Sequence, residues 1–237
     1  MPLVVISPLT LPSRISRLDL MLGGGIRTGN ITHVYGRAGS GKTTLGLEFV
    51  LSSLRMGYHT VYVNSEGSSP IERLEQMAGR PYQELVDAIN IIVPKDFSEQ
   101  GEIIEDLELY APESTRLIVI DTLTRLYRVS LDDKKTNYAA HRELNRQAGF
   151  LKGIASQRGI AVLVLNQVRA KLDGTDDFEP VAKNIMEYWS DVTLRLKVGN
   201  ASSQRVVERM DLRSEKARIR LLIQDRGFAL EDNIQQE

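Results

Sequence analysis

Residues 36–44 read GRAGSGKTT, the spacing G-x-x-x-x-G-K-[ST] in which a glycine-rich turn wraps a polyphosphate. The stretch before it, ITHVY (31–35), is apolar and β-branched as a strand should be. The stretch after it, LGLEFVLSSLRMG, places apolar residues at helical spacing and stops at Gly57. Strand, glycine loop and helix are the context in which backbone N–H groups at a helix start meet negative charge. The loop residues Gly36, Arg37, Ala38, Gly39, Ser40, Gly41, Lys42, Thr43 and Thr44 are therefore candidates for holding ATP. Lys42 is expected to reach the β- and γ-phosphates, and the Thr43 hydroxyl to ligate Mg²⁺.

Three further residues could complete phosphoryl chemistry. Asp121 ends the continuous apolar run RLIVID, and an acid at the C-terminal end of a buried parallel strand downstream of such a loop suits a Mg²⁺ site. The position after it is Thr122, so a group that polarises the attacking water must come from elsewhere. Glu66, in YVNSEGSSP, follows the second strand; on spacing alone it is equally well a turn acid ahead of Ser69. Gln167 ends AVLVLNQ, and its amide both donates and accepts, so it can sense a γ-phosphate and pass the signal to the next loop.

The elements that must position these residues alternate. HTVYVN, NIIVP, RLIVID and GIAVLVLNQ read as strands, and RLIVID and GIAVLVLNQ have the unbroken apolar character of strands buried on both faces. Between them SSPIERLEQMAG (Ser69 cap, Glu72 closing a capping box), PYQELVDAI, DFSEQGEIIEDLELYA (Asp96 and Glu99 as a second box) and 138–158 read as helices. VTLRLKVG, QRVVERM and ARIRLLI suggest antiparallel strands at the end. The fold class expected is α/β: a mostly parallel central sheet flanked by helices and extended by antiparallel C-terminal strands, in one domain spanning 1–237.

Composition narrows the function. The chain has 237 residues, no cysteine, three scattered histidines and a formal net charge of −1. A thiolate metal site and a disulfide framework are excluded, and any nucleic-acid contact must come from local basic patches. The start, MPLVVISPLTLPSR, lacks the basic region of a signal peptide, and no run has the length of a membrane span, so a cytoplasmic protein without membrane contact is expected.

The ordered set GGGI, GxxxxGKT, YVNSEG…PIERL, LIVIDTLTRLYR and VLNQV resembles the RecA/RadA recombinase superfamily over nearly the whole chain. The resemblance implies a RecA-like P-loop ATPase core. In it VNSEGSSPIERL carries the glutamate that acts in hydrolysis (Glu66), IDTLTRLYR opens a first DNA loop, and NQV carries the amide switch (Gln167). Departures accompany it. Only about twenty residues precede LGGG, so an N-terminal helix–hairpin–helix domain and a clear Phe-x-x-Ala motif are not expected, and the segment after Gln167 is short and acidic. A compact core of this kind is most similar to the archaeal RadB branch. That implies an ATP-binding protein with weak hydrolysis that binds DNA, single-stranded by preference, and assists recombination and repair. The main RadA recombinase or other repair proteins are the implied partners, and self-association is expected to be possible.

Arg125, Arg128, Lys134 and Lys135 flank the first loop, and Arg169, Lys171 and Lys183 surround the second; each could neutralise phosphates without reading sequence. Asp132, Asp133, Asp173, Asp176 and Asp177 sit among them, so solvated charged loops fit the same pattern. The C-terminal cations Arg205, Arg209, Arg213, Lys216, Arg218 and Arg220 form a second basic surface that could meet DNA or a partner, but ion pairing with Glu208 and Glu215 is the preferred expectation. Two alternatives remain open: an ATP-gated mediator in which turnover is incidental, and a KaiC-like RecA-fold ATPase acting on a protein partner.

Overall fold

In the computed structural model, which describes residues 8–131, 134–171, 177–211 and 217–231, the apolar runs become the strands of one sheet. A short ladder comes first, β1 (Thr10–Leu11) against β2 (Ile26–Arg27), with helix α1 (Ser16–Leu22) between them. Then follow β3 (Ile31–Gly36), α2 (Lys42–Arg55), β4 (His59–Asn64), α3 (Ile71–Ala78), β5 (Ile89–Ile92), α4 (Phe97–Glu105), α5 (Leu107–Tyr110) and β6 (Thr115–Asp121). The second half holds α6 (Arg125–Val129), α7 (Lys134–Arg158), β7 (Ala161–Asn166), the hairpin β8 (Val168–Ala170) and β9 (Phe178–Pro180), α8 (Lys183–Trp189), β10 (Val192–Val198), β11 (Gln204–Arg209), β12 (Arg218–Gln224) and β13 (Gly227–Leu230).

Nine strands form the central sheet in the order β13-β12-β11-β10-β3-β7-β6-β4-β5. From β10 to β5 every neighbour is parallel, and from β10 to β13 every neighbour is antiparallel. Successive side chains of a strand point to opposite faces, and both faces of the parallel part are covered. Val61, Val63, Ile118, Ile120, Val162 and Val164 pack under α7, whose Leu144, Ala148, Leu151 and Ala155 recur at helical spacing. The alternate residues Tyr62, Leu117, Val119, Leu163 and Leu165 face α2 with its Leu45, Phe49 and Val50. Gly46 lets α2 approach closely: a Cβ there would sit 3.1 Å from Leu165 Cδ1. A mid-helix glycine costs about 1 kcal/mol of propensity, offset here by tighter packing on the sheet.

Several local expectations are refined. PYQELVDAI forms two 3₁₀ turns, Tyr82–Glu84 and Val86–Ala88, rather than a helix. Its first amide is taken by Glu75 Oε1 at 2.7 Å, and Leu85 turns into the core after one turn, so an i→i−4 ladder never starts. Ser69 Oγ accepts from Ile71 N–H at 3.2 Å, but α3 begins after Pro70 and has no capping box. Asp96 caps α4 as expected (Glu99 N–H, 2.9 Å), and Glu99 reaches back to Lys95 N–H at 2.6 Å. VTLRLKV, expected among the antiparallel strands, is the joint between the two halves of the sheet: β10 is parallel to β3 on one side and antiparallel to β11 on the other. GFAL adds β13, which no sequence pattern announced. The β-prone LVVI (3–6) lies outside the described residues. Among the described residues no helix is long and apolar enough to cross a membrane.

Candidate nucleotide site and adjoining basic loops

Parallel strands deliver their C-terminal ends to one edge of a sheet. In register, Asn64 stands beside Asp121, Asp121 beside Leu165, and Asn166 beside Tyr35, so the residues following β3, β4, β6 and β7 converge. The loop after β3 turns through Gly39 (φ 72°) and Gly41 (φ 95°), left-handed conformations that favour glycine, and enters α2. A Cβ on Gly36 would collide with the Leu196 carbonyl and Ser40 Oγ.

Lys42 is buried, and its ammonium donates to the carbonyls of Gly36 and Arg37, both at 3.0 Å. Burial lowers its pKa, against the raising influence of Asp121 and Glu66. The Thr43 hydroxyl donates to Asp121 Oδ2 at 2.7 Å, and the Tyr62 hydroxyl donates to the same oxygen at 2.6 Å. Burial raises the Asp121 pKa despite these two bonds. Three buried polar atoms here find no partner among the described residues: Asp121 Oδ1, Ser40 Oγ and Thr122 Oγ1. A buried polar atom without a partner is costly. Thr43, by donating its proton to Asp121, turns its lone pairs outward. Hard oxygen donors in this arrangement fit Mg²⁺, and a glycine loop leading into the start of α2, with the buried Lys42 ammonium, fits a polyphosphate, so the residues suit the group that the motif implies.

Glu66 and Gln167, separated by about a hundred residues of sequence, meet directly. The Gln167 amide donates to Glu66 Oε1 at 3.0 Å and Oε2 at 3.2 Å, and its own oxygen accepts from Arg128 Nη1 at 2.9 Å. Arg125 Nη1 donates to the Ser65 carbonyl at 2.7 Å. Behind them Gln100 accepts from the Ser65 hydroxyl and donates to the Leu123 carbonyl and Gln147, so the loop carrying Glu66 is tied to the loop after β6.

The basic residues expected near nucleic acid divide into two groups. Arg125 and Arg128 lie on α6 and turn toward the site just described. Three others are engaged with acids: Arg169 with Glu179 (2.9 Å), Lys171 with Asp177 (2.7 Å) and Lys183 with Glu187 (3.8 Å). Arg195 also pairs with Asp177, whose carboxyl is held far below its usual range by these bonds. Lys134 and Lys135 open α7, but their side chains lie outside the described residues, as do Asp132, Asp133, Asp173 and Asp176. Arg37 of the phosphate loop stacks over the Phe178 ring at 3.7 Å, so the β8–β9 hairpin reaches back to the loop. Tyr127 is buried and Trp189 packs against the core, as anchors rather than presented rings.

Sequence reasoning missed two participants. Tyr62 was legible as a strand residue, but nothing in VYV marks a hydroxyl aimed at Asp121. Arg205, expected to form ion pairs, instead donates to the carbonyls of Ser40 (3.1 Å) and Gly39 (3.1 Å) from β11. No signal in QRVVERM distinguishes it from Arg209, which does pair, with Asp211.

A RecA-like core with a P-loop is the class that this fold and site define. The Rad51 family model matches residues 7–228. The chain is 32% identical over 188 residues to the DNA repair and recombination protein RadB of Methanococcoides burtonii, covering 79% of this chain and 83% of that protein. It is 31% identical over 214 residues to RadB of Methanococcus maripaludis (90% and 97%) and 33% identical over 198 residues to RadB of Methanobrevibacter smithii (81% and 82%). The chain belongs to the Rad51 family and is RadB-like. Binding of ATP with Mg²⁺ is general in that family.

Proposed function

We propose that this chain is a Mg²⁺-dependent ATPase of slow turnover that binds DNA, single-stranded by preference, and assists homologous recombination and repair. The relatives' name, DNA repair and recombination protein, supports the process. The observation that carries the reading is the chain of contacts Glu66–Gln167–Arg128, which joins the carboxylate best placed to orient water to a cation of the first basic loop. Lys42 and the 36–44 loop would hold the polyphosphate. Thr43 and Asp121 would hold Mg²⁺, which would neutralise charge on the phosphates. Glu66 would accept the proton of the attacking water. Both of its oxygens already accept from the Gln167 amide, which holds them from other work until Gln167 turns; slow turnover follows.

Arg125, Arg128, Lys134, Lys135, Arg169, Lys171 and Lys183 would contact the nucleic-acid backbone. A neighbouring copy of the chain, or the main recombinase, would be the protein partner. The same hold on Glu66 favours a second reading, in which ATP binding alone gates the DNA-bound state.

ATP turnover with and without single-stranded DNA, beside DNA binding across a salt series with and without ATP, tests the proposal. Slow turnover that DNA does not stimulate, with DNA affinity that needs ATP and falls with salt, is expected. Fast, DNA-stimulated turnover would mean a recombinase motor, and salt-independent binding would remove the phosphate contacts.

A further inference from the structure

Arg205 is 7% exposed, and all of its bonds run to neutral carbonyls: Ser40 and Gly39 at 3.1 Å each, Ser202 at 2.6 Å and Gln204 at 2.8 Å. No carboxylate among the described residues pairs with it. A guanidinium keeps its charge, and a buried cation surrounded only by neutral dipoles is costly unless an anion comes near. The two carbonyls it draws are those of successive loop peptides. In a trans peptide the C=O and the following N–H point opposite ways, so holding these carbonyls on the β11 side turns both following N–H groups away from it: the Ser40 N–H closes a turn on the Arg37 carbonyl at 3.2 Å, and the Gly41 N–H is left for a ligand. The left-handed Gly39 and Gly41 permit that turn.

A second contact braces the same segment. Phe228 of β13 lies against Gly41, where an added Cβ would come within 2.9 Å of its ring. Its N–H is fixed by Glu48 Oε1 of α2 at 2.7 Å. The antiparallel strands thus hold the loop from behind and from the side.

We infer that Arg205 is a positioning residue of the nucleotide site: its fork on the Gly39 and Ser40 carbonyls fixes the turn of the loop and aims the Gly41 N–H, and its uncompensated charge strengthens the field on the polyphosphate. The inference rests on the reading that this loop holds a nucleotide. That segment of such a loop serves the α- and β-phosphates, so ATP and ADP should depend on Arg205 alike.

The test is equilibrium titration of the full chain with fluorescent ATP and ADP analogues in Mg²⁺, comparing the natural sequence with Arg205→Gln and Arg205→Lys, beside unfolding midpoints without nucleotide. Arg205→Gln should weaken both nucleotides about tenfold or more, as loss of a charge-assisted contact does. Arg205→Lys, which keeps the charge but not the planar fork, should fall between. A folded Arg205→Gln chain with natural affinity, or a loss confined to ATP, would overturn the inference. If Arg205→Gln does not fold, Arg205→Lys decides: natural ADP affinity in that variant overturns it. A natural chain that binds neither nucleotide would instead overturn the reading of the site itself.

Discussion

The nucleotide end of the sheet and the basic loops beside it both present positive charge, but they hold it in opposite ways. At the nucleotide end, Lys42 and Arg205 are buried and bonded to carbonyls, and polar atoms of Asp121, Ser40 and Thr122 are left without partners. At the loops, Arg169, Lys171 and Lys183 are partly exposed and each already faces an acid. The first region has met its desolvation cost during folding and, on the proposed function, is organised for an anion before one arrives. The second must exchange one ion pair for another, and exposed pairs of this kind are worth only about 0–1 kcal/mol. Strong, geometry-dependent binding is expected at the first, and weak, salt-dependent binding at the second.

Glu66→Gln should give the largest effect. It removes the carboxylate but keeps its shape, so turnover should fall by roughly 10²–10⁴ while nucleotide affinity is kept, measured by phosphate release and by titration. An unchanged rate would place the water-orienting group elsewhere. Lys42→Ala should come next, with ATP affinity falling about a hundredfold, since the buried ammonium of the proposed phosphate loop is lost; a small change would mean that the region is less organised than its geometry implies.

His33 probes the same end from beneath. It is buried, its Nε2 accepts from the Asn166 amide at 3.2 Å, and its pKa is lowered to about 3 by burial. The folded state therefore binds fewer protons than the unfolded state, whose histidine titrates near 6.5. Its contribution is intact above that pH and is lost by about 1.4 kcal/mol per pH unit as pH falls toward 3. Unfolding midpoints measured from pH 7 to 4 should drop more steeply for the natural chain than for His33→Gln. Equal slopes would mean that the imidazole is not held neutral.

The smallest effects belong to the loops. Arg169→Ala should weaken single-stranded DNA binding a few-fold and reduce the slope of log K against log salt by about 0.7. Loss of the Glu179 pairing should leave stability within about 0.5 kcal/mol. A change in salt slope of several units from that single cation would erase the contrast between the two regions.

Much of this was legible because it depends on local pattern. GRAGSGKTT between a β-branched run and a helical run needs no tertiary information to be read as a phosphate loop, and RLIVID needs none to be read as a strand buried twice. Glu66 and Gln167 were individually ambiguous, one a possible turn acid and the other a common strand end. Register removes the ambiguity of place: β4, β6 and β7 end at one edge, and the two side chains bond there. PYQELVDAI failed as a helix because Glu75 and the core claimed its ends, competitors that its own residues do not reveal.

By itself the sequence determined the alternation of elements, the phosphate loop and the acid that follows a buried strand, since each rests on spacing within a dozen residues. Only the tertiary structure decided which of the many cations matter to that loop. Arg205 and Arg209 stand four apart on β11 with similar neighbours, yet one is buried against Gly39 and Ser40 and the other pairs with Asp211. A side chain's partner in a sheet is fixed by the strands placed beside it, and those are brought together from distant parts of the chain.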